Sequence, residues 1–121
     1  MVAIAPASVG SSLAPGALFM SRDRGRTVVW LDGEHDLSTS FVVARSLARA
    51  TSADDADVIV DLSGVTFFGA ATLGVMVRSQ NLLRSQHRTL LLRSPSGCVR
   101  RVLDACGLAG MVEPRARPPV Q

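Results

Sequence analysis

The chain lacks lysine and tyrosine entirely, and only two cysteines and two histidines occur among its 121 residues. No spacing of these residues matches a metal site, and no glycine-rich segment has the spacing of a phosphate-binding loop. Aromatic residues make up 4% of the chain and do not alternate with the arginines, so a base-stacking surface is missing. The sequence therefore points away from metal-dependent catalysis, and we expect no cofactor.

All 13 basic residues are arginine, and the formal net charge is +3. A positive balance admits a nucleic-acid partner, because arginine neutralises phosphates. The arginines are nevertheless scattered along the chain in small groups rather than collected into one basic stripe. We interpret them as solvated surface residues and expect no direct contact with nucleic acid.

The first 16 residues lack a basic leader and are interrupted by Pro6 and Pro15. This pattern matches neither a signal peptide nor a membrane span, so we expect a cytoplasmic protein without membrane contact.

Cys98 and Cys106 lie in one predicted helix, about 12 Å apart along its axis, which is too far for them to form a disulfide with each other. Cys98 lies close to Arg100 and Arg101 in a positively charged setting that suits a redox-active thiol. The alternative is an inert, half-buried cysteine.

Hydrophobic periodicity predicts one folded domain over residues 17–112, with flexible tails at 1–16 and 113–121. The pattern begins with a β-hairpin and continues as alternating helices and strands. Such an order is typical of an α/β domain with a mixed, mostly parallel sheet covered by amphipathic helices. The predicted elements are strands at 17–21 and 27–31, a helix through Val43, Leu47 and Ala50, a strand at 58–60, a helix around 73–84, a strand at 89–92 and a helix through Val99, Leu103 and Cys106.

Several residues mark the predicted helix ends. Ser38, Thr39 or Ser40 is expected to cap the first helix. Ser94 followed by Pro95 predicts the start of the last helix, and Gly107 predicts its end.

Glu34, His35 and Asp36 bring two carboxylates and an imidazole together, the groups of an acid-base site. Neighbouring residues of a strand point to opposite faces, and a loop does not fix their geometry. We therefore predict that the protein is not an enzyme.

Three segments carry the most specific signal: GEHDLST at 33–39, VIVDLSGVTFFGAATLGVM at 58–76 and VRRVLDACGL at 99–108. Together, and in this order, they resemble the signature regions of STAS domains, especially those of bacterial anti-sigma-factor antagonists. The resemblance covers about residues 17–112 and implies a single α/β STAS domain.

The resemblance also implies a partner. Members of this family bind an anti-sigma factor that is also a serine kinase with a histidine-kinase-like ATPase domain, and this binding frees the sigma factor for transcription. The kinase then phosphorylates a serine at the start of the helix after the central strand, which ends binding. The family motif Asp-Ser-Ser/Ala-Gly at that helix start corresponds here to Gly69, Ala70, Ala71 and Thr72, so Ala70 stands at the position of the phosphorylated serine.

The partner-binding residues implied by this match are Asp36, Ser38, Gly69, Ala70, Ala71 and Thr72. We expect both Asp36 and Thr72 to be exposed. Asp36 serves either as a partner contact or as a cap of the first helix, and Thr72 either as a replacement phosphorylation site or as a helix cap. For Asp61 a hydrogen bond within a turn is favoured over a functional role.

Other functions remain open at this point, since a fold does not determine a function. STAS domains also serve as nucleotide or small-ligand sensors and as regulatory subunits of transporters. A weak homodimer is open as well.

Overall fold

A computed structural model describes residues 18–114 of the chain, so the predicted tail at 1–16 and residues 115–121 of the predicted tail at 113–121 lie outside the described residues. The elements follow the predicted alternation after an initial hairpin. They are β1 Leu18–Asp23, β2 Arg26–His35, α1 Leu37–Ala53, β3 Val58–Phe68, α2 Ala70–Ser85, β4 Leu90–Arg93, α3 Gly97–Ala105 and a short 3-10 helix Ala109–Met111.

The four strands form one mixed sheet in the order β1-β2-β3-β4. β1 and β2 are antiparallel, and the two residues that join them, Arg24 and Gly25, both have positive φ angles, of 54° and 80°. Positive φ at both positions is the geometry of the tight turn that matches the twist of a hairpin. β2, β3 and β4 are parallel, as the predicted α/β fold requires.

The hydrophobic core lies on one face of the sheet, where all three helices pack. It takes alternate residues from the strands, among them Val29, Val60 and Leu92, because successive side chains of a strand point to opposite faces. Val28 and Ile59, which point to the other face, are also fully buried. Leu73 and Met76 belong to the core, as predicted.

Two strands continue beyond their predicted ends, to His35 in β2 and to Phe68 in β3. In β3 the extension passes through Asp61, a charged residue that alone argues against a buried strand. Its carboxylate is satisfied within the fold: Oδ1 accepts hydrogen bonds from Ser63 and Oδ2 accepts one from the Arg93 guanidinium at 2.8 Å. Asp61 therefore has a structural role, as predicted, but within a strand rather than a turn.

The last helix starts later than predicted. Ser96, not Ser94, is its N-cap, and its Oγ accepts a hydrogen bond from the Val99 amide, so Pro95 precedes the helix. The predicted end at Gly107 is confirmed, since its φ of 74° is the left-handed conformation that closes a helix.

The ordered domain also includes Glu113, although the sequence pattern assigns this residue to the C-terminal tail. Its amide donates to the Leu92 carbonyl, and its carboxylate pairs with Arg26 at 2.8 Å.

Candidate functional site

The starts of α1 and α2 lie side by side at the carboxyl ends of β2 and β3. The Gly69 amide donates a 2.7 Å hydrogen bond to the His35 carbonyl, which joins the two helix starts directly. A Cβ at Gly69 would lie 3.4 Å from that carbonyl oxygen, 3.5 Å from the Asp36 Cα and 3.5 Å from the Phe67 ring. The fold therefore brings the predicted Asp36 and Gly69 segments into one surface.

Asp36 is the N-cap of α1. Its Oδ1 accepts hydrogen bonds from the Ser38 hydroxyl at 2.6 Å and from the Ser38 amide at 2.9 Å, while its own amide donates to Thr39 Oγ1 at 3.1 Å. The reciprocal pattern is a capping box, so the cap is Asp36, as in the alternative interpretation of that residue, and not Ser38, Thr39 or Ser40. The hydrogen bond from the Ser38 hydroxyl holds the pKa of Asp36 below its usual value, so the exposed carboxylate stays charged.

Three large apolar side chains stand in solvent around this cap. Leu37 is 79% exposed, Phe41 65% and Phe67 50%. Leu37 and Phe41 are neighbours on one face of α1, because they are four residues apart. We call Leu37, Phe41 and Phe67 the apolar collar. The sequence motifs do not single out these residues; the signal that could have found them is the hydrophobic residue directly after the N-cap.

The start of α2 is open. Gly69 is its N-cap and provides no side-chain hydrogen bond to the first turn. Ala70 is exposed and Ala71 is half-buried. Both residues therefore present small side chains and backbone to the solvent beside the apolar collar.

The prediction that Thr72 is exposed is wrong. Thr72 is 0% exposed, and its Oγ1 has neither solvent contact nor a hydrogen-bond partner. Two residues along a helix rotate by about 200°, so the exposure of Ala70 turns Thr72 toward the sheet. Thr72 therefore neither caps α2 nor reaches a partner or a kinase.

The remaining predicted position, Cys98, is exposed in the first turn of α3 rather than half-buried, and Cys106 is exposed as well. Across residues 18–114, no group of three or more His, Cys, Asp or Glu side chains could hold a metal ion. No helix in the same range is long and apolar enough to cross a membrane.

A family model described as Mlab, STAS domain, matches residues 18–113. The chain belongs to the STAS domain family. The match spans every strand and helix of this STAS domain, including both helix starts at the candidate site. No match is found among curated proteins.

Solved structures of anti-sigma factor antagonists share the fold of this STAS domain. One from Mycobacterium paratuberculosis is 24% identical with a TM-score of 0.71, and the alignment covers 82% of this chain and 86% of that one. A STAS domain antagonist from Planctomyces limnophilus is 21% identical with a TM-score of 0.71, over 82% and 88% of the two chains. Unphosphorylated SpoIIAA of Bacillus is 20% identical with a TM-score of 0.70, over 80% and 86%.

Proposed function

We propose that this STAS domain is an anti-sigma-factor antagonist, which binds an anti-sigma factor and so regulates sigma-factor-dependent transcription. The observation that carries the proposal is the apolar collar around Asp36. The chain has only four phenylalanines, and two of them stand exposed on this one surface. Exposed apolar patches that border polar residues are typical of protein interfaces.

The parts of the surface have complementary roles in this proposal. The apolar collar provides the area that desolvates on binding, and aromatic side chains dominate the energy of such contacts. The Asp36 carboxylate provides a fixed negative charge, which selects a partner with a cationic or hydrogen-bond-donating group at that place. Ser38 holds the carboxylate in position through two hydrogen bonds.

We propose a partner of the serine-kinase type, with a histidine-kinase-like ATPase domain, and we propose that the usual phosphorylation switch is missing. The Ala70 methyl group offers no oxygen to a phosphoryl group. Phosphorylation of a serine there would add about −1.5 to −2 charges to the interface. Because Thr72 is buried, it does not replace that serine. Binding is then controlled by the amount of protein or by oxidation at Cys98.

The partner is tested by capture from the protein's own cells. We expect the tagged protein to co-purify with a protein that contains this ATPase domain. Asp36→Arg should lose it, since the variant reverses the charge at the centre of the surface. Asp104→Arg, the same change at an exposed acid of α3, should retain it. Capture of no ATPase-domain protein by the unmodified chain would refute the proposal.

The missing switch is tested by incubating the captured kinase and ATP with the natural protein and with the double variant Gly69→Asp, Ala70→Ser. An aspartate fits at position 69, where a Cβ would meet no atom closer than 3.4 Å. We expect phosphate on the double variant only, together with its release from the partner. Phosphate on the natural protein would contradict the proposed loss of the switch.

A small anionic ligand at the start of α2 is the second candidate function. Its support is the absence of a side-chain cap, which leaves the first amides of the helix available to an anion. The nearby Asp36 carboxylate opposes such a ligand. A rise in melting temperature on addition of nucleotides would favour this candidate. We expect no such rise if the capture experiment finds an ATPase-domain protein.

A further inference from the structure

His35 makes contacts with three elements at the candidate site. Its ring is 0% exposed, and Nε2 lies 3.0 Å from the Asp32 carbonyl oxygen in β2. Nδ1 lies 3.4 Å from Thr39 Oγ1 in the first turn of α1. Its backbone carbonyl accepts the hydrogen bond from Gly69 at the start of α2.

The partners of the ring determine its proton positions. A carbonyl oxygen can only accept, so Nε2 carries the proton that is donated to Asp32. In the neutral ring Nδ1 is then an acceptor, and it shares the Thr39 hydroxyl hydrogen with the Asp36 carbonyl oxygen, which lies 3.2 Å from Thr39 Oγ1. The same hydroxyl oxygen accepts the Asp36 amide hydrogen, so a chain of hydrogen bonds connects the Asp36 backbone through Thr39 to the His35 ring.

We infer that His35 is a positioning residue, whose buried ring holds the Asp36 cap of α1 in register with Gly69 at the start of α2. The His35 ring thereby keeps the proposed binding surface rigid. Only the effect of this rigidity on a partner rests on the proposed function. A side chain without Nδ1 removes the link between Thr39 and β2, so the Thr39 hydroxyl contacts only the Asp36 backbone and the Asp36 loop is less firmly held. The Gly69 hydrogen bond then loses its fixed acceptor.

Protonation of His35 would act on the same chain of hydrogen bonds. A proton on Nδ1 turns this atom into a donor and reverses its hydrogen bond with Thr39. Burial lowers the pKa of His35 below its usual value of 6.5, and the neighbouring carboxylates Asp32 and Asp36 oppose this effect. No charged side chain of α2 precedes Arg78, so the charges that act on the ring come from β2 and the α1 cap.

The test measures amide hydrogen exchange by NMR on the protein alone, beside His35→Leu and His35→Gln. Glutamine retains one donor and one acceptor, whereas leucine fills the space without either. In His35→Leu we expect the protection of the Asp36 and Gly69 amides to fall about tenfold, the effect of one lost hydrogen bond, while the Val60 amide at the centre of β3 keeps its protection. His35→Gln should retain the protection of all three amides.

A pH series separates this role from simple packing. As the pH falls below 6.5 through the lowered pKa of His35, the natural protein should lose protection at Asp36 and Gly69, and His35→Gln should not. Equal loss at all three amides in His35→Leu would overturn the inference, because it indicates a purely structural residue. Unchanged protection at Asp36 and Gly69 would overturn it as well. Since no partner enters this experiment, its outcome is independent of the proposed function.

Discussion

The two ends of the parallel strands differ in how their polar groups are used. At the amino ends of β3 and β4, the buried guanidinium of Arg88 donates two hydrogen bonds to the Ala56 carbonyl, one to the Thr51 carbonyl and one to the Gln86 side chain. At the carboxyl ends, the Asp36 carboxylate and the apolar collar face the solvent, and the start of α2 has no side-chain cap.

The amino ends of the strands therefore serve stability, and the carboxyl ends serve the proposed recognition. The Arg88 end is satisfied within the chain, because one side chain completes the end of α1 and the loop before β3. The Asp36 end retains exposed apolar area and an unpartnered buried hydroxyl, features that cost stability and that a binding surface retains. Variants at the two ends should therefore affect different measurements.

The largest effect is expected at the amino ends. Arg88→Ala removes four hydrogen bonds and leaves their acceptors in a partly buried site, so we expect the free energy of unfolding to fall by about 2–4 kcal/mol. Arg88→Lys should recover only part of this loss, since a single ammonium group cannot match the planar fork of a guanidinium. Urea denaturation measures both variants.

Arg101→Ala, which removes an exposed arginine, is the matched control and should change stability by no more than about 0.5 kcal/mol. Partner affinity measured where Arg88→Ala remains folded should equal that of the natural protein. A specific loss of affinity would break the separation between the two ends.

A smaller effect of opposite sign is expected at the carboxyl ends. Thr72→Val keeps the shape of the side chain and removes the buried hydroxyl that has no partner, so we expect a gain of about 1 kcal/mol in the free energy of unfolding. Thr72→Ser, which keeps the hydroxyl and removes a methyl group, should instead lose stability. Chemical denaturation of the two variants measures whether the buried hydroxyl lowers stability at this end. A lower free energy of unfolding in Thr72→Val would show that the hydroxyl has a hydrogen-bond partner.

The smallest effect is a dependence of stability on pH, which originates at the carboxyl ends. The pKa of His35 is lowered by burial, so the folded state disfavours its protonated form. The contribution of the neutral His35 ring to the free energy of unfolding is complete above pH 6.5. It is lost as the pH falls from 6.5 through the pKa of His35 in the folded state. The pKa of Asp36 is lowered from 3.8, so its contribution is lost only at more acidic pH. In thermal melts across this pH range, His35→Gln should remove the loss of stability below pH 6.5 and retain the loss at more acidic pH. A pH profile identical to that of the natural protein would contradict this assignment.

The sequence predicts the fold better than it predicts the site. Alternating apolar periodicity was sufficient for the hairpin, the order of helices and strands and the mostly parallel sheet. The extension of β3 through Asp61 was missed because the compensating Arg93 is distant in the chain and contributes only after folding. Thr72 was placed on the surface because a motif gives the position of a residue along the chain, whereas burial depends on how the helix rotates against the sheet.

His35 is another residue whose contacts cannot be predicted from its position in the sequence. Its sequence neighbours suggest an acid-base group, yet its ring contacts backbone and a hydroxyl across a strand end and a helix start. The apolar collar was missed for a related reason, since exposed and buried phenylalanines, such as Phe67 and Phe68, stand next to each other in one strand.

The most direct test of the proposed function is a calorimetric titration of the captured ATPase-domain protein into the natural protein, Leu37→Ser and Leu82→Ser. Both variants make the same change at an exposed leucine, but Leu37 belongs to the apolar collar and Leu82 lies near the distant end of α2. We expect Leu37→Ser to raise Kd by about tenfold or more, as for a central interface residue, and Leu82→Ser to leave it within about twofold. Equal Kd values for the two variants would contradict the placement of the partner at the Asp36 end.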